Sequence, residues 1–318
     1  MKKGFITKQI SNQYTVRDLT TDQILIAQAR GKFRYMKLEK SSAFNKNVTA
    51  KTKKETKTAM VSPKVGDYVY YEIDGDHVWI TEILPRKSEL RRPDVVNVDQ
   101  VLLVFSCVRP DFSFYLLDKF LVILEQEQLT PVLVISKIDL VDEKTLSTIK
   151  QGMAYYESLG YDVYYVNSKQ RIGIDVLTHI FNQKITVLAG QTGVGKSTLL
   201  NALMPELNLK TQEISKALGR GKHTTRHTEL YAYQGGYIVD TPGFSKISFR
   251  LFYEDELRLL YPDFMKSASA CRFGNKCTHI HEPGCAVKQA VETKEIPQSR
   301  YDNYCAFIDE IKEQKLKF

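Results

Sequence analysis

The sequence is poor in cysteine and contains no long apolar segment. Five cysteines occur among its 318 residues, and three of them lie within 271–285, a distribution that argues against a disulfide framework. The longest apolar run, VLLVFSCV at 101–108, is far shorter than the roughly 20 residues that cross a bilayer, and no signal peptide is visible. The composition predicts a reduced, cytoplasmic protein without a membrane partner.

Acidic residues are scarce at the start of the chain. Residues 1–64 hold 15 Lys and Arg but only four Asp and Glu, a local charge of +11, whereas the remaining residues sum to −3. A basic arm of this kind indicates a polyanionic partner, usually nucleic acid. A solvated face that keeps the protein soluble is the alternative interpretation.

A chain of 318 residues is long for one domain, so two or three domains are expected. In the N-terminal part, short segments separated by turn signals predict strands, and the Asp-Gly-Asp sequence at 74–76 marks a hairpin. The predicted strands are 13–19, 23–29, 66–73 and 77–84. We expect an OB-fold barrel over residues 1–85, with a Lys/Thr-rich loop at 43–60 and a charged linker at 85–93.

Strands alternate with helices over residues 94–250, which predicts an α/β domain of parallel strands joined by crossover helices. The predicted strands are 98–108, 131–140, 162–168 and 185–190, followed by a hairpin within 227–241. The predicted helices are 114–128, 143–160, 173–181 and 196–204. Residues 251–318 are expected to form a mostly helical domain around a group of cysteine and histidine residues.

The stretch GQTGVGKS at 190–197 matches the phosphate-binding loop G-x-x-x-x-G-K-[ST] without departure. Its backbone N–H groups would wrap a β-phosphate, and Ser197 would bind Mg²⁺. Lys196 would offset the charge of the β- and γ-phosphates, which also makes it a candidate catalytic residue. The predicted nucleotide-binding residues of this loop are Gly190, Gln191, Thr192, Gly193, Val194, Gly195, Lys196, Ser197 and Thr198.

A second nucleotide element, VDTPG, follows the predicted hairpin and ends at Gly243. Asp240 can hold Mg²⁺ through water, and the N–H group of Gly243 can reach a γ-phosphate. Upstream of it, the segment LGRGKHTTRHTEL at 218–230 is rich in glycine and hydroxyl groups. It is predicted to be a switch that closes over the γ-phosphate, with Thr224 and Thr225 as candidate Mg²⁺ ligands. A basic surface loop is the alternative.

The base-recognition element SKID lies upstream of the phosphate loop instead of downstream. The carboxylate of Asp139 can accept two hydrogen bonds from guanine, a donor pair that adenine lacks, and the stem of Lys137 can cover the purine ring. Ser136 stands where Asn or Thr is usual, and its shorter reach is expected to weaken guanine affinity. Backbone N–H groups at Asn167 and Ser168 are positioned to reach guanine O6. This order predicts a circularly permuted GTPase domain.

The cysteines near the C-terminus have metal-ligand spacing. The ligand set follows the pattern Cys271-x5-Cys277-x-His279-x5-Cys285. Three thiolates and one imidazole predict a closed tetrahedral site for one structural Zn²⁺ ion, and His281 is the alternative to His279. Because so small a segment has little core of its own, the metal is expected to hold it folded. Cys107 and Cys305 are interpreted as core residues.

Taken together, these motifs resemble the ribosome small subunit-dependent GTPase A family over essentially the whole chain. The resemblance rests on the permuted order, the Cys/His spacing, GQTGVGKS, GRGKHTTRH, DTPGF, PRKSELRRP and EPGCAV. Ser136 departs from the family, as does Arg226, where a third Thr is common. The resemblance implies a GTPase that binds the 30S ribosomal subunit, is stimulated by it and acts late in its maturation. The basic arm would then bind rRNA, with candidate phosphate contacts at Lys51, Lys53, Lys54 and Lys57.

Hydrolysis needs a group that orients the attacking water. After DTPG many GTPases place a Gln for this purpose, but Phe244 stands there and cannot do it. His223 and His227 are candidate catalytic residues, and a group from the ribosome is the alternative. The competing functions are a GTP-gated RNA- or ribosome-binding module with vestigial hydrolysis, and an ATP-dependent P-loop enzyme. We expect a monomer that binds GTP and GDP.

Overall fold

The computed structural model describes residues 1–30, 36–37, 58–59, 62–91, 94–207, 229–240 and 254–315. Within these residues an N-terminal barrel, a central α/β sheet flanked by helices and a C-terminal helical region follow one another along the chain. None of the helices in these segments has both the length and the apolar content that crossing a bilayer requires.

In the part of the chain that the structure describes, five strands form the N-terminal barrel. They are β1 (Lys2–Ile10), β2 (Gln13–Asp18), β3 (Ile24–Ala29), β6 (Tyr68–Asp74) and β7 (His77–Ile83). Their order is β1-β2-β3-β7-β6, and pairing of β6 with β1 closes the barrel. Two very short strands, β4 (Met36–Lys37) and β5 (Thr58–Ala59), pair with each other. The predicted OB-like barrel is confirmed, although its first strand was not among the predicted segments.

The barrel interior is filled by apolar residues of these strands, and in β2 and β6 the buried positions alternate with more exposed ones. Phe5, Val16, Val69 and Ile80 are each at most 1% exposed, as the two-residue period of a strand requires. Glycine is needed at position 4 of β1, because a Cβ atom there would lie 2.3 Å from a methyl carbon of Val16 on the neighbouring strand β2.

The charged segment after the barrel is folded back onto it. Strands β8 (Glu89–Arg91) and β9 (Asp94–Val96) pair as a hairpin. Arg86 is buried and donates two hydrogen bonds of 2.7 Å to the carboxylate of Asp67. The sequence predicted a charged linker here but could not show its partner, because Asp67 lies 19 positions upstream. The ion pair attaches the linker to the barrel.

Six strands of the central sheet lie within the described residues. They are β10 (Gln100–Ser106), β11 (Thr130–Ser136), β12 (Asp162–Val166), β13 (Ile185–Ala189), β14 (Glu229–Tyr233) and β15 (Gly236–Asp240). Their order is β12-β11-β10-β13-β15-β14, with every pair parallel except β14 with β15. The predicted strand–helix alternation and the predicted hairpin are confirmed. Parallel strands end at the same edge of a sheet, so the carboxyl ends of β10, β11, β12, β13 and β15 lie together there.

Helices cover both faces of this sheet, which explains why β10, β11 and β13 are buried along almost their whole length. They are α1 (Phe114–Gln126), α2 (Glu143–Ser158), α3 (Ile174–Thr178) and α4 (Lys196–Leu203). Residues of α1 and α2 share a buried cluster with Leu103 and Leu133. Residues of α3 and α4 share another with Leu102 and Val134, on the opposite face. The sheet is thus held rigidly between two layers.

The C-terminal region is helical, as predicted, and has a core of its own. Its helices are α5 (Glu254–Leu257), α6 (Pro262–Ala268), α7 (Ala286–Glu292) and α8 (Gln298–Lys315). Tyr261, Phe264, Tyr304 and Phe307 are fully buried at its centre. Lys119 of α1 forms an ion pair with Glu310 of α8, so the region is docked on the central domain.

A buried charge network completes this docking. Arg300 of α8 donates to both carboxylate oxygens of Asp263, at 2.6 and 2.9 Å, and also to Asp118 of α1. The hydroxyl of Tyr156 donates to Asp118 at 2.7 Å, and that of Tyr155 donates to Asp263 at 2.8 Å. Arg300 is 2% exposed, and its guanidinium lies 4.7 Å from the ring centroid of Tyr261. One arginine therefore pairs with carboxylates from two regions.

We expect Arg300→Leu to lower the free energy of unfolding by about 3–5 kcal/mol, because it leaves two buried carboxylates without their cation. Urea unfolding followed by circular dichroism measures this loss. Arg30→Leu is the matched control, because Arg30 makes an exposed ion pair with Glu72 at 3.8 Å that should contribute less than about 1 kcal/mol. Equal losses in the two variants would contradict the buried role of Arg300.

Candidate nucleotide site and metal centre

The predicted phosphate loop connects β13 to α4, in the strand–loop–helix context that such loops require. Gly190 has a φ of +134°, and a Cβ atom at this position would lie 2.2 Å from the carbonyl oxygen of Val104. Gly195 has a φ of +98° and caps the N-terminus of α4. Both glycines are therefore required by backbone geometry as well as by the motif.

The amine of Lys196 lies within this loop. It donates to the carbonyl oxygens of Gly190 and Gln191, each at 2.7 Å. These bonds hold the ammonium group against the loop backbone, where the N–H groups of a helix N-terminus also point. The loop thus combines a fixed positive charge with backbone donors, which is the arrangement that binds a phosphate group.

Ser136 contacts the phosphate loop. It is 2% exposed, and its hydroxyl lies 2.6 Å from the carbonyl oxygen of Val194 and 3.1 Å from that of Phe105. The side chain therefore joins the end of β11 to the loop between β13 and α4. The shorter reach expected of a serine is sufficient for this contact. An effect of Ser136 on guanine affinity stays a prediction.

Lys137 and Asp139 follow at the carboxyl end of β11. Lys137 has a φ of +58°, and its amine donates to the carbonyl oxygens of Val108, at 3.1 Å, and Arg109. Burial, together with the nearby charges of Arg109 and Lys169, lowers the pKa of Lys137. Asp139 lies in a short 3₁₀ turn, Ile138–Leu140, and is exposed. Its carboxylate is thus accessible at the edge where the strand ends meet.

The loop after β12 is organised by Asn167. Its side-chain oxygen accepts from the N–H groups of Lys169 and Gln170, at 3.1 and 3.2 Å. Its own backbone N–H donates to the carbonyl oxygen of Ile172 at 3.0 Å. Of the two amides predicted to face guanine, that of Asn167 is therefore engaged within the loop, and that of Ser168 is the candidate donor that is left.

Arg171 was not predicted, although it connects two parts of the site. Its guanidinium donates to the carbonyl oxygen of Ala202 at 2.6 Å, which ties the loop after β12 to the last turn of α4. The two residues are 31 positions apart, and nothing in the local pattern of either segment indicates the contact.

Asp240 is the last residue of β15, next to β13 and hence beside the start of the phosphate loop. The backbone thus brings Asp240 to the edge that carries the SKID element and Lys196. The remaining predicted site residues lie outside the described residues. They are Lys51, Lys53, Lys54, Lys57, His223, Thr224, Thr225, His227 and Gly243.

The four predicted zinc ligands meet in the C-terminal region. The Sγ atoms of Cys271, Cys277 and Cys285 and a ring nitrogen of His279 all lie within 4.8 Å of one another, and all four residues are buried. Nδ1 of His279 is 3.6 Å from the Cys271 sulfur and 3.4 Å from the Cys285 sulfur, and these sulfurs are 4.0 Å apart. His281, the alternative ligand, is exposed.

These distances fit a tetrahedral zinc site. Zinc–ligand bonds of normal length place sulfur atoms about 3.8 Å apart and nitrogen about 3.6 Å from sulfur. Burial raises the pKa of Cys277 to about 12 and lowers that of His279. Burial alone therefore disfavours the thiolate, which a cation would stabilise. The donor set suits one structural Zn²⁺ ion, because no position is open for a substrate.

The backbone between the ligands is held by neighbouring side chains. Tyr301 and Tyr304 of α8 donate to the carbonyl oxygens of His279 and Thr278, both at 2.7 Å. The carboxylate of Glu282 accepts from several backbone N–H groups, including that of Thr278 at 2.8 Å. Burial opposes its charge, but these bonds lower the pKa of Glu282 to about 2. The loop is thus shaped by the helices as well as by its ligands.

A family model described as RsgA GTPase matches residues 83–250 of this chain. Over a much longer span, the small ribosomal subunit biogenesis GTPase RsgA of Onion yellows phytoplasma (strain OY-M) is 50% identical across 314 residues. That match covers 99% of this chain and 99% of the relative. The chain belongs to the RsgA GTPase family. The resemblance of the motifs is therefore confirmed.

Two solved structures to which this chain is similar agree with the described fold. YloQ, described as a circularly permuted GTPase, aligns with a TM-score of 0.77 and 40% identity, covering 99% of this chain and 96% of that one. YjeQ from Thermotoga maritima aligns with a TM-score of 0.78 and 34% identity, covering 97% and 98%. The predicted fold class of barrel, permuted GTPase domain and zinc domain is confirmed. As a GTP hydrolase, the protein uses Mg²⁺ with its nucleotide.

Proposed function

We propose that this chain hydrolyses GTP to GDP and phosphate during biogenesis of the small ribosomal subunit. The observation that supports it most is the 99% coverage of both chains in the match to a protein named for that activity. We further propose that it binds the 30S subunit and its rRNA in the cytoplasm as a monomer, acts late in maturation and is stimulated by the subunit. The proposed domain bounds are 1–85, 94–250 and 251–318.

The described residues suggest how the nucleotide is held. The loop from Gly190 to Ser197 would cradle the phosphates, with Lys196 placed by its bonds to two loop carbonyls. Ser197 and Asp240 would hold Mg²⁺, which offsets the phosphate charge that develops as the bond to the γ-phosphate breaks. Asp139 would read guanine, and Lys137 would cover its ring.

Water positioning is proposed to come from His223 or His227, with Thr224 and Thr225 completing the Mg²⁺ shell. Ordering of this segment by the ribosomal subunit would then accelerate a slow intrinsic reaction. The deciding experiment is GTP hydrolysis titrated with purified 30S subunits. A rate that rises to saturation supports the proposal, whereas a rate unchanged by the subunit would favour a GTP-gated binding module.

We expect Asp139→Asn to weaken GTP binding about 10- to 100-fold, because one charge-assisted pair of hydrogen bonds to guanine is lost. Competition of unlabelled GTP and ATP against a fluorescent GTP analogue measures the change in preference. Asp142→Asn is the matched control. Asp142 lies three positions after Asp139 and caps α2, because its carboxylate accepts from the N–H of Thr145 at 2.8 Å. The Asp142→Asn substitution should leave the preference for GTP over ATP unchanged. A retained guanine preference in Asp139→Asn would contradict the assigned role.

A further inference from the structure

The barrel and the central sheet meet at the hairpin formed by β14 and β15. Strand β1 of the barrel pairs with β14, with Lys8 opposite Glu229. The amine of Lys8 lies 2.9 Å from a carboxylate oxygen of Glu229, and both side chains are about one-third exposed. This contact joins the two sheets into one, across 221 positions of sequence.

The same pairing continues to the nucleotide site. Glu229 is in turn the register partner of Asp240 on β15, so Lys8, Glu229 and Asp240 form a row across three strands. On the other side of β15, the ladder with β13 ends one residue earlier, at Val187 and Val239. Within the described residues, the register partner of Asp240 is therefore Glu229 on β14, and Glu229 is in turn the partner of Lys8 on β1.

A second contact holds the hairpin from the barrel. Arg17 of β2 donates to the hydroxyl of Tyr237 at 2.8 Å, and the ring of Tyr237 lies 4.8 Å from that of Phe5 in the barrel core. Arg17 is itself held by Asp22, with a bond of 2.9 Å. Tyr237 is on β15, three residues before Asp240. The barrel thus contacts both strands of the hairpin, β14 through Lys8 and β15 through Arg17 and Phe5.

We propose that Lys8 and Glu229 are positioning residues for GTP hydrolysis, because this row sets the backbone position of Asp240. The inference rests on the proposed function, in which Asp240 holds Mg²⁺ through water. A displacement of about 1 Å in a catalytic group can cost a factor of about 100 in rate. The row also gives the barrel a direct mechanical connection to the Mg²⁺ site, so a polyanion bound to the barrel would act on hydrolysis through it.

The test is Glu229→Gln, which breaks the ion pair but keeps every cation of the basic arm. We expect kcat for GTP hydrolysis to fall about fivefold, both without and with 30S subunits. This value is at the low end of the effects that one site has on another in proteins. The Mg²⁺ concentration for half-maximal rate should rise, while the Kd for GTP changes by less than about twofold. Glu72→Gln is the matched control, because it breaks the exposed Arg30–Glu72 pair on the barrel and should alter none of these values.

A charge swap provides the second test. Lys8→Glu and Glu229→Lys should each lower the intrinsic kcat, and the double variant should restore it together with the Mg²⁺ requirement. If Glu229→Gln behaves as Glu72→Gln does, or if the double variant restores neither value, the inference is overturned. If 30S subunits do not stimulate the unmodified protein, the proposed function is contradicted instead. The intrinsic kcat and the Mg²⁺ requirement of the variants then still test whether Lys8 and Glu229 position Asp240.

Discussion

Lys196→Ala is expected to lower kcat/KM for GTP hydrolysis by about 100- to 1000-fold, the range for removing a group that stabilises transition-state charge. The amine of Lys196 is held by two loop carbonyls at 2.7 Å, so it is already placed when the nucleotide arrives. Its loss removes the positive charge from the γ-phosphate and also frees the loop backbone. Single-turnover cleavage of labelled GTP measures the chemical step directly.

Lys184→Ala is the matched control for this prediction. Lys184 precedes β13 and donates to the side-chain oxygen of Gln100 at 3.1 Å, on the same strand–loop–helix unit but at the opposite end of the strand. We expect its kcat/KM to stay within about twofold of the unmodified protein, because screened surface charges contribute little. A comparable loss in both variants, or a nearly unchanged rate in Lys196→Ala, would count against the assigned role.

Removal of zinc is expected to unfold the C-terminal region, because the ligands Cys271, Cys277 and Cys285 are part of its buried core. The binding free energy of a structural zinc ion, about 10–16 kcal/mol in zinc-finger peptides, is comparable with the whole stability of a domain. Chelation or Cys277→Ser should therefore expose 271–285 to protease, reduce the helical circular dichroism and release the bonds from Tyr301 and Tyr304. Nucleotide binding should persist, because the phosphate loop lies on other elements.

Cys305→Ser is the control for the metal prediction. Cys305 is a half-buried free thiol on α8 that packs against the same core without joining the ligand cluster. This variant should retain one zinc ion per chain, measured by atomic absorption, and should resist protease. If the chelated protein keeps both its helical signal and its protease resistance, the helical core holds the region folded by itself, contrary to the expectation from sequence.

The predictions that succeeded rest on short stretches whose chemistry is local. The phosphate loop needs a glycine at 190 and a lysine at 196, only six positions apart, so the local sequence pattern is enough to predict the loop geometry. The predicted zinc ligands lie within 15 consecutive positions, and the fold brings His279 to the three cysteines while His281 is exposed. Strand and helix periodicity in turn predicted the layers of the central domain.

The sequence by itself therefore determined the fold class, and it predicted the nucleotide loop and the metal ligands, because each is encoded in neighbouring residues. Only the tertiary structure decided how these parts are joined. Ser136 bonds to a loop 58 positions away, Arg300 to a carboxylate 182 away and Lys8 to one 221 away. Such contacts depend on how elements stack across the molecule, and local periodicity contains no information about which distant partner a polar side chain will meet.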